Sequence, residues 1–119
     1  MNYLVPNKYK ALCIIDAIKE KTNKNSQKTY DIEFKIIKGK YKGFKCWLNV
    51  IQNPESEIEK FHHDKWMKQI GIAIDSYPID NIHDAIGRTV IIEYGYRHSK
   101  NGYLERNFVK KIYSVNDIF

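Results

Sequence analysis

From Tyr30 to Ile36 every second residue is large and apolar (Tyr30, Ile32, Phe34, Ile36), while Asp31, Glu33 and Lys35 fill the positions between. A period of two puts the first set on one face of an extended chain and the charged set on the other. Residues 29–38 therefore read as a strand with one face in a core and the other in water. Such a strand needs partners, and the flanking segments supply them. Residues 9–18 (YKALCIIDAI) place Tyr9, Ala11, Cys13 and Ile15 on one face. Leu12, Ile14 and Ile18 fall on the other, so this strand is expected to be covered on both sides for part of its length. Residues 19–28 (KEKTNKNSQK) hold no core residue and are expected to form a polar loop. After the basic, glycine-bounded turn 38–43 (KGKYKG), a third strand is expected over residues 44–51.

Gln52-Asn53-Pro54 ends that segment. Ser56-Glu57-Ile58-Glu59 then fits a capping box, in which the Ser56 hydroxyl accepts from the Glu59 amide and the Glu59 carboxylate reaches back. The spacing predicts a helix to about Ile70 with Gly71 as its C-terminal stop. Trp66, Met67, Ile70 and Ile74 share the side expected to face the core. Residues 75–86 read as a connector with one helical turn. Gly87 introduces a fourth strand over 89–96, Asn101-Gly102 marks a hairpin turn, and a fifth strand is expected over 103–113.

The order is three strands, a helix, then two strands. This predicts an all-β fold with one helix, the five-stranded partly open barrel of the OB-fold in the order β-β-β-α-β-β. An SH3-like barrel lacks that helix. A ferredoxin-like fold needs a helix between the first two strands, where residues 19–28 are polar. The chain reads as one domain over residues 1–119 with short flexible ends at about 1–7 and 114–119, and 119 residues suffice for a core without staples.

Charge and aromatics bear on partners. Twenty Lys and Arg against 14 Asp and Glu give a formal net charge of +6. That balance suits a polyanion, and also plain solubility. Aromatic residues make up 13% of the chain, and lysines with aromatics form the combination that single-stranded nucleic acid uses. Cys13 and Cys46 lie in apolar runs and read as small buried hydrophobes of a reducing compartment. The first six residues do not resemble a signal peptide. No apolar stretch approaches the ~18 residues of a membrane span, so the expected location is the cytoplasm, away from membranes.

The run Gly39-Lys40-Tyr41-Lys42-Gly43-Phe44-Lys45-Cys46-Trp47-Leu48-Asn49 is preceded by Thr22 and Phe34-Lys35-Ile36. It is followed by Asn53-Pro54, Ile70-Gly71, Ile86-Gly87-Arg88 and Asn107-Phe108-Val109. Together they resemble a family of small phage-encoded proteins whose pattern is a strand, G-x-Y-K-G-x-K-x-W, a helix ending in Gly, and a closing strand with N-x-V. The resemblance covers about residues 8–113. It implies an OB-type fold and binding of single-stranded DNA during replication or recombination of a phage or mobile genetic element. The chain departs from the pattern at Asn23-Lys24-Asn25, where Lys-Gly often follows the threonine, and at His62-His63.

Trp47 is the leading candidate residue. Lys45, Trp47 and Asn49 are expected to point outward, and Cys46, Leu48 and Val50 inward. The indole would then lie beside Lys35 on the neighbouring strand, an arrangement that stacks a base and neutralises its phosphate. The alternative is a tryptophan covered by the helix or by residues 1–6. Tyr41, between Lys40 and Lys42, either stacks a base or folds over the barrel end. Lys21, Lys24 and Lys28 are assigned to the loop between strands one and two, Arg97 and Lys100 to the loop between strands four and five, with Tyr103 and Arg106 on strand five. OB-folds clamp oligonucleotides between these two loops.

His62 and His63 are adjacent, so on a helix they point about 100° apart. A helical metal pair wants i, i+4 spacing, and no cysteine pair has ligand spacing. Asp75, Asp80 and Asp84 read as turn residues. With no phosphate-cradling glycine loop, nucleophile elbow or Cys/His pair, the expectation is a binding protein without cofactor, metal or catalysis. The end Asp117-Ile118-Phe119 is similar to the tip of bacterial single-strand-binding proteins, which closes with Asp-Ile-Pro-Phe after a string of acids. It would dock a polymerase, primase or helicase, or else Ile118 and Phe119 pack back on the barrel. Two functions follow: a single-stranded-DNA binder with little sequence preference, or an accessory subunit of a replicative enzyme with weak DNA binding of its own.

Overall fold

A computed structural model describes residues 5–98 and 105–118. Five antiparallel strands form one sheet: β1 (Lys10–Thr22), β2 (Lys28–Ile36), β3 (Lys45–Ile51), β4 (Thr89–His98) and β5 (Glu105–Tyr113). A helix, α1 (Glu57–Ala73), separates β3 from β4, a 3-10 turn spans Ile82–Ala85, and a single helical turn, α2 (Val115–Ile118), follows β5. The sheet order is β3-β2-β1-β4-β5. Its two edges, β3 and β5, run in the same direction and come within 8 Å at Cα, so the sheet curls toward closure. The β-β-β-α-β-β layout expected from the sequence is present.

α1 lies over the gap between those edges. Edge strands leave backbone groups unpaired, and the helix satisfies some of them. His63 Nδ1 donates to the Ile51 carbonyl at 2.7 Å, and Gln69 Oε1 accepts from the Ile112 amide at 2.9 Å. Inside the curl sit Ile15, Ile32, Phe34, Ile36, Val90, Ile92 and Tyr94, with Ile70 and Ile74 of the helix, all fully or almost fully buried. Trp66 and Met67 pack against this core. Val5 is also buried. Asn107 holds it by accepting from the Val5 amide and donating to the Val5 carbonyl, each at 2.8 Å. Cys13 and Cys46 are free and buried, and desolvation pushes their thiols up to about 12 and about 11. Among the described residues, no helix is long and apolar enough to cross a membrane.

Three local expectations need correction. First, β1 does not stop at residue 18 but runs to Thr22, leaving residues 23–27 as the loop. A polar composition marks solvent exposure, and an edge-of-sheet ladder accommodates it: Lys19, Lys21 and Thr22 pair with Asp31, Thr29 and Lys28. Second, Ile18 joins the same core face as Ile15. The register slips between Ile15 and Ala17, so Asp16 is the extra residue of a β-bulge that turns every later side chain over. Third, Gly71 does not end α1. The helix continues to Ala73 and ends at Asp75, whose φ is 59°, with Ser76 N–H bonded to Gly71 O and Asp75 N–H to Ile72 O in a Schellman arrangement. Tyr77 packs close on Gly71: an added Cβ would lie 3.2 Å from Tyr77 carbons, a tight contact. At the other end, Ser56 Oγ accepts from the Glu59 amide at 3.1 Å as expected, while the Glu59 carboxylate accepts from Glu55 N–H, one residue further back.

Candidate nucleic-acid interface

The bulge at Asp16 builds the outer face of β1–β2–β3. Beyond it, Ala17, Lys19 and Lys21 point away from the core, aligned with the outward set of β2. The pairing produces three rows across the sheet: Ala17–Glu33–Trp47, Lys19–Asp31–Asn49 and Lys21–Thr29–Ile51. Trp47 is 53% exposed, and no ring or cation stacks on it among the described residues. The helix does not cover it. Its neighbour across the pair is Glu33, whereas Lys35 faces Lys45; this corrects the expected Trp47–Lys35 pairing. The expectation miscounted register by one row, which periodicity within single strands does not determine.

Ala17 ends at Cβ, so the row is low at β1, and a hollow of about 370 Å³ opens there, lined by Ala17, Lys19, Lys21, Asp31, Glu33 and Trp47. Lys21 Nζ bonds Asp31 Oδ2 at 2.9 Å, and Lys45 Nζ lies 3.7 Å from Glu33 Oε2. The face is thus a checkerboard of lysines and two carboxylates. Ala17, Lys19, Asp31 and Glu33 were not singled out from the sequence as site residues. The one sequence signal for them is Asp16, a charge that interrupts the apolar alternation of β1.

The remaining sequence candidates scatter around this face. Lys24 is exposed in the 23–27 loop, and Lys28 is exposed at the start of β2. Asn23 Oδ1 organises that loop by accepting from the amides of Asn25 and Gln27, and Gln27 Nε2 ties it to Glu59 at the start of α1 at 3.2 Å. Tyr41 is half-buried in an aromatic cluster, edge-on to Tyr9 at 5.0 Å and to Phe44 at 5.4 Å, so it folds over the barrel end while Lys42 stays in solvent. Arg97 does not lie in the loop between strands four and five: β4 extends to His98 because its ladder with β5 continues, and Arg97 and Arg106 face each other across β4–β5. Lys100, Tyr103 and Phe119 lie outside the described residues, as do the side chains of Asp117 and Ile118. The backbone of α2 lies against β4, and Val115 lines a hollow with Tyr9, Leu12 and Thr89.

A second outer surface, on β4–β5, was only partly anticipated. Phe108 lies over Gly95, and Arg97 stacks on the Phe108 ring at 4.6 Å. Tyr113 donates to Glu93 Oε1 at 2.7 Å, with Lys10 and Lys111 ammonium groups 5.0 and 4.8 Å from its ring. That hydrogen bond raises the Tyr113 phenol above its ordinary range and, with Lys110, Lys10 and Lys111 nearby, lowers the Glu93 carboxyl below its own.

Compared with known proteins, the chain matches no family model and no curated sequence to a significant degree.

Proposed function

We propose that this protein is an OB-fold module that binds single-stranded DNA through the outer face of β1–β2–β3, performing no chemistry, in replication or recombination of a phage or mobile element. The single observation that carries the reading is Trp47: a large indole held half in water on β3, with no ring or cation stacked on it among the described residues, on a face that also carries Lys19, Lys21 and Lys45. Exposing an indole forfeits burial free energy, and a base stacked on it recovers that area while lysines meet the flanking phosphates. The OB assignment draws support from the strand order and from the approach of β3 to β5 beneath α1. The phage assignment rests on the resemblance of the G-x-Y-K-G-x-K-x-W run.

The test is titration of the intrinsic tryptophan fluorescence with oligo-dT, oligo-U and duplex of equal length, using Trp47→Phe to separate Trp47 from the half-buried Trp66. Saturable quenching by single strands that vanishes in Trp47→Phe, with weaker binding of a dye-labelled strand by Trp47→Ala in anisotropy, supports the reading. Equal response to duplex, or none to any strand, overturns it.

One observation favours the second reading, an accessory subunit that docks on a polymerase, primase or helicase. On the solvent side of α1, Ile58 and Phe61 are 73% and 65% exposed, and Ile72 is exposed further along, beyond Lys65 and Lys68. If Ile58→Ser with Phe61→Ser releases such an enzyme while oligonucleotide affinity is unchanged, docking is a property of the helix and not of the sheet face.

A further inference from the structure

We propose that the hollow beside Trp47 discriminates among bases, preferring those that carry an exocyclic amine (cytosine, adenine, guanine) over thymine and uracil. The inference rests on the reading that this face binds single strands, and it narrows the ligand.

Two carboxylates form the floor of the hollow. Asp31 and Glu33 are the central residues of their rows, and their side chains are only 15% exposed. Lys21 occupies Asp31 Oδ2 and Lys45 approaches Glu33 Oε2. Asp31 Oδ1 and Glu33 Oε1 meet no protein donor among the described residues. An ionised carboxylate is acceptor-only, so whatever enters the hollow must bring hydrogens. Trp47 forms the wall directly across from Glu33, and Ala17, on the other side of Glu33, leaves the space open. A ring stacked on the indole therefore turns its edge toward the two carboxylates. Cytosine offers its N4 amine there, adenine its N6 amine, and guanine its N1–H and N2 amine. Thymine and uracil offer a single N–H between two carbonyl oxygens, and those oxygens would face carboxylate oxygens in a partly desolvated site. Lys19, Lys21 and Lys45 at the rim remain available to phosphate whichever base is bound. A face built only for sequence-tolerant stacking has no use for acceptors at the centre of the platform.

The experiment compares oligo-dC with oligo-dT of equal length at pH 8, by direct titration and by competition, on the wild type, Glu33→Gln, and Glu33→Gln with Asp31→Asn. Amides present donors as well as acceptors. The expected result is oligo-dC binding about tenfold more tightly than oligo-dT, with the ratio falling toward one in the variants as oligo-dT affinity rises. Equal affinities in the wild type, with quenching that still depends on Trp47, overturn the inference and leave the single-strand reading standing. Binding of neither oligonucleotide overturns both. A preference that persists in folded variants shows that the carboxylates do not carry it, and also overturns the proposal. Glu33→Gln alone preserves the Lys21–Asp31 pair, so it decides the matter even if the double variant is unstable.

Discussion

The outer faces of β1–β2–β3 and of β4–β5 share their ingredients, aromatic rings and cations on antiparallel strands, and use them in opposite ways. On β4–β5 the rings are consumed internally. Phe108 replaces the side chain that Gly95 lacks and carries Arg97 on its other face; Tyr113 is held by Glu93 between Lys10 and Lys111. On β1–β2–β3 the Trp47 ring has no such partner among the described residues, and the cations are divided between carboxylates and solvent. Charge alone would point to the other face: Lys10, Lys110 and Lys111 surround Glu93, and Arg97 and Arg106 face each other further along β4–β5, whereas Asp31 and Glu33 sit among the lysines of the Trp47 face. The lesson is that a binding platform is recognised by interactions left unmade. An aromatic–cation pair that already satisfies itself stabilises the sheet, and a ring without one is available to a ligand.

The largest expected effect comes from breaking the self-satisfied face. In Gly95→Val the new Cβ would meet Phe108 ring carbons at 2.6 Å, so the ring and the stacked Arg97 must move. Overpacking of this kind should destabilise by about 3 kcal/mol, read as a lowered midpoint in urea. If stability holds, Phe108 is not packed as a lid and the contrast between the faces fails.

Trp47→Ala tests the other side. Binding to single strands should weaken by about 2 kcal/mol, the worth of one stacked base, while folding stability changes by less than about 0.5 kcal/mol, because an exposed ring supports little. The reverse pattern, stable binding with a lower melting temperature, would make Trp47 a structural residue like Phe108.

Salt dependence sharpens the comparison further. Replacing Lys24 and Lys28 together by Gln should make the slope of log affinity against log salt shallower by about 1–2. Replacing Lys110 and Lys111 should leave the slope unchanged if the strand keeps to the Trp47 face. A shift caused by the second pair and not the first would move the strand to β4–β5.

The smallest effect concerns Tyr113 and Glu93. Because the Glu93 carboxyl is lowered in the folded state, the bond contributes stability above the ordinary carboxylate range and loses it as pH falls through the lowered value. Because the phenol is raised, its contribution is full below the ordinary tyrosine range near pH 10 and is lost as pH rises through the raised value. Glu93→Gln should therefore flatten the stability profile at both ends, by less than about 1 kcal/mol for a solvent-screened pair. Thermal melts from pH 3 to 11 check this, and an unchanged profile would show the pair to be incidental.

The sequence by itself determined the number, type and order of the main elements. Period-two alternation in β2 and β3, the capping box at Ser56 and the apolar side of α1 are local properties, each contained in one stretch of chain. It also placed Cys46, Leu48 and Val50 on one face of β3 and Trp47 on the other, since a strand has only two faces; that nothing covers Trp47, which stands 53% exposed, was left to the tertiary structure. Only the tertiary structure decided the rest. Whether a polar segment continues a strand depends on a partner lying alongside, which is why Lys19–Thr22 joined β1. Which residue sits opposite Trp47 depends on register, and register is set jointly by two strands and a turn. The bulge at Asp16 reverses the facing of everything after it, so a single extra residue in the ladder puts Ala17 and Lys19, with the already expected Lys21, on the face of Trp47. Gly71 has the residue type of a helix stop, yet α1 runs on to Ala73, and the glycine's close neighbour is Tyr77, brought against it by the chain's return. Each of these is a relation between segments distant along the chain or across the sheet, and no window of sequence contains both members.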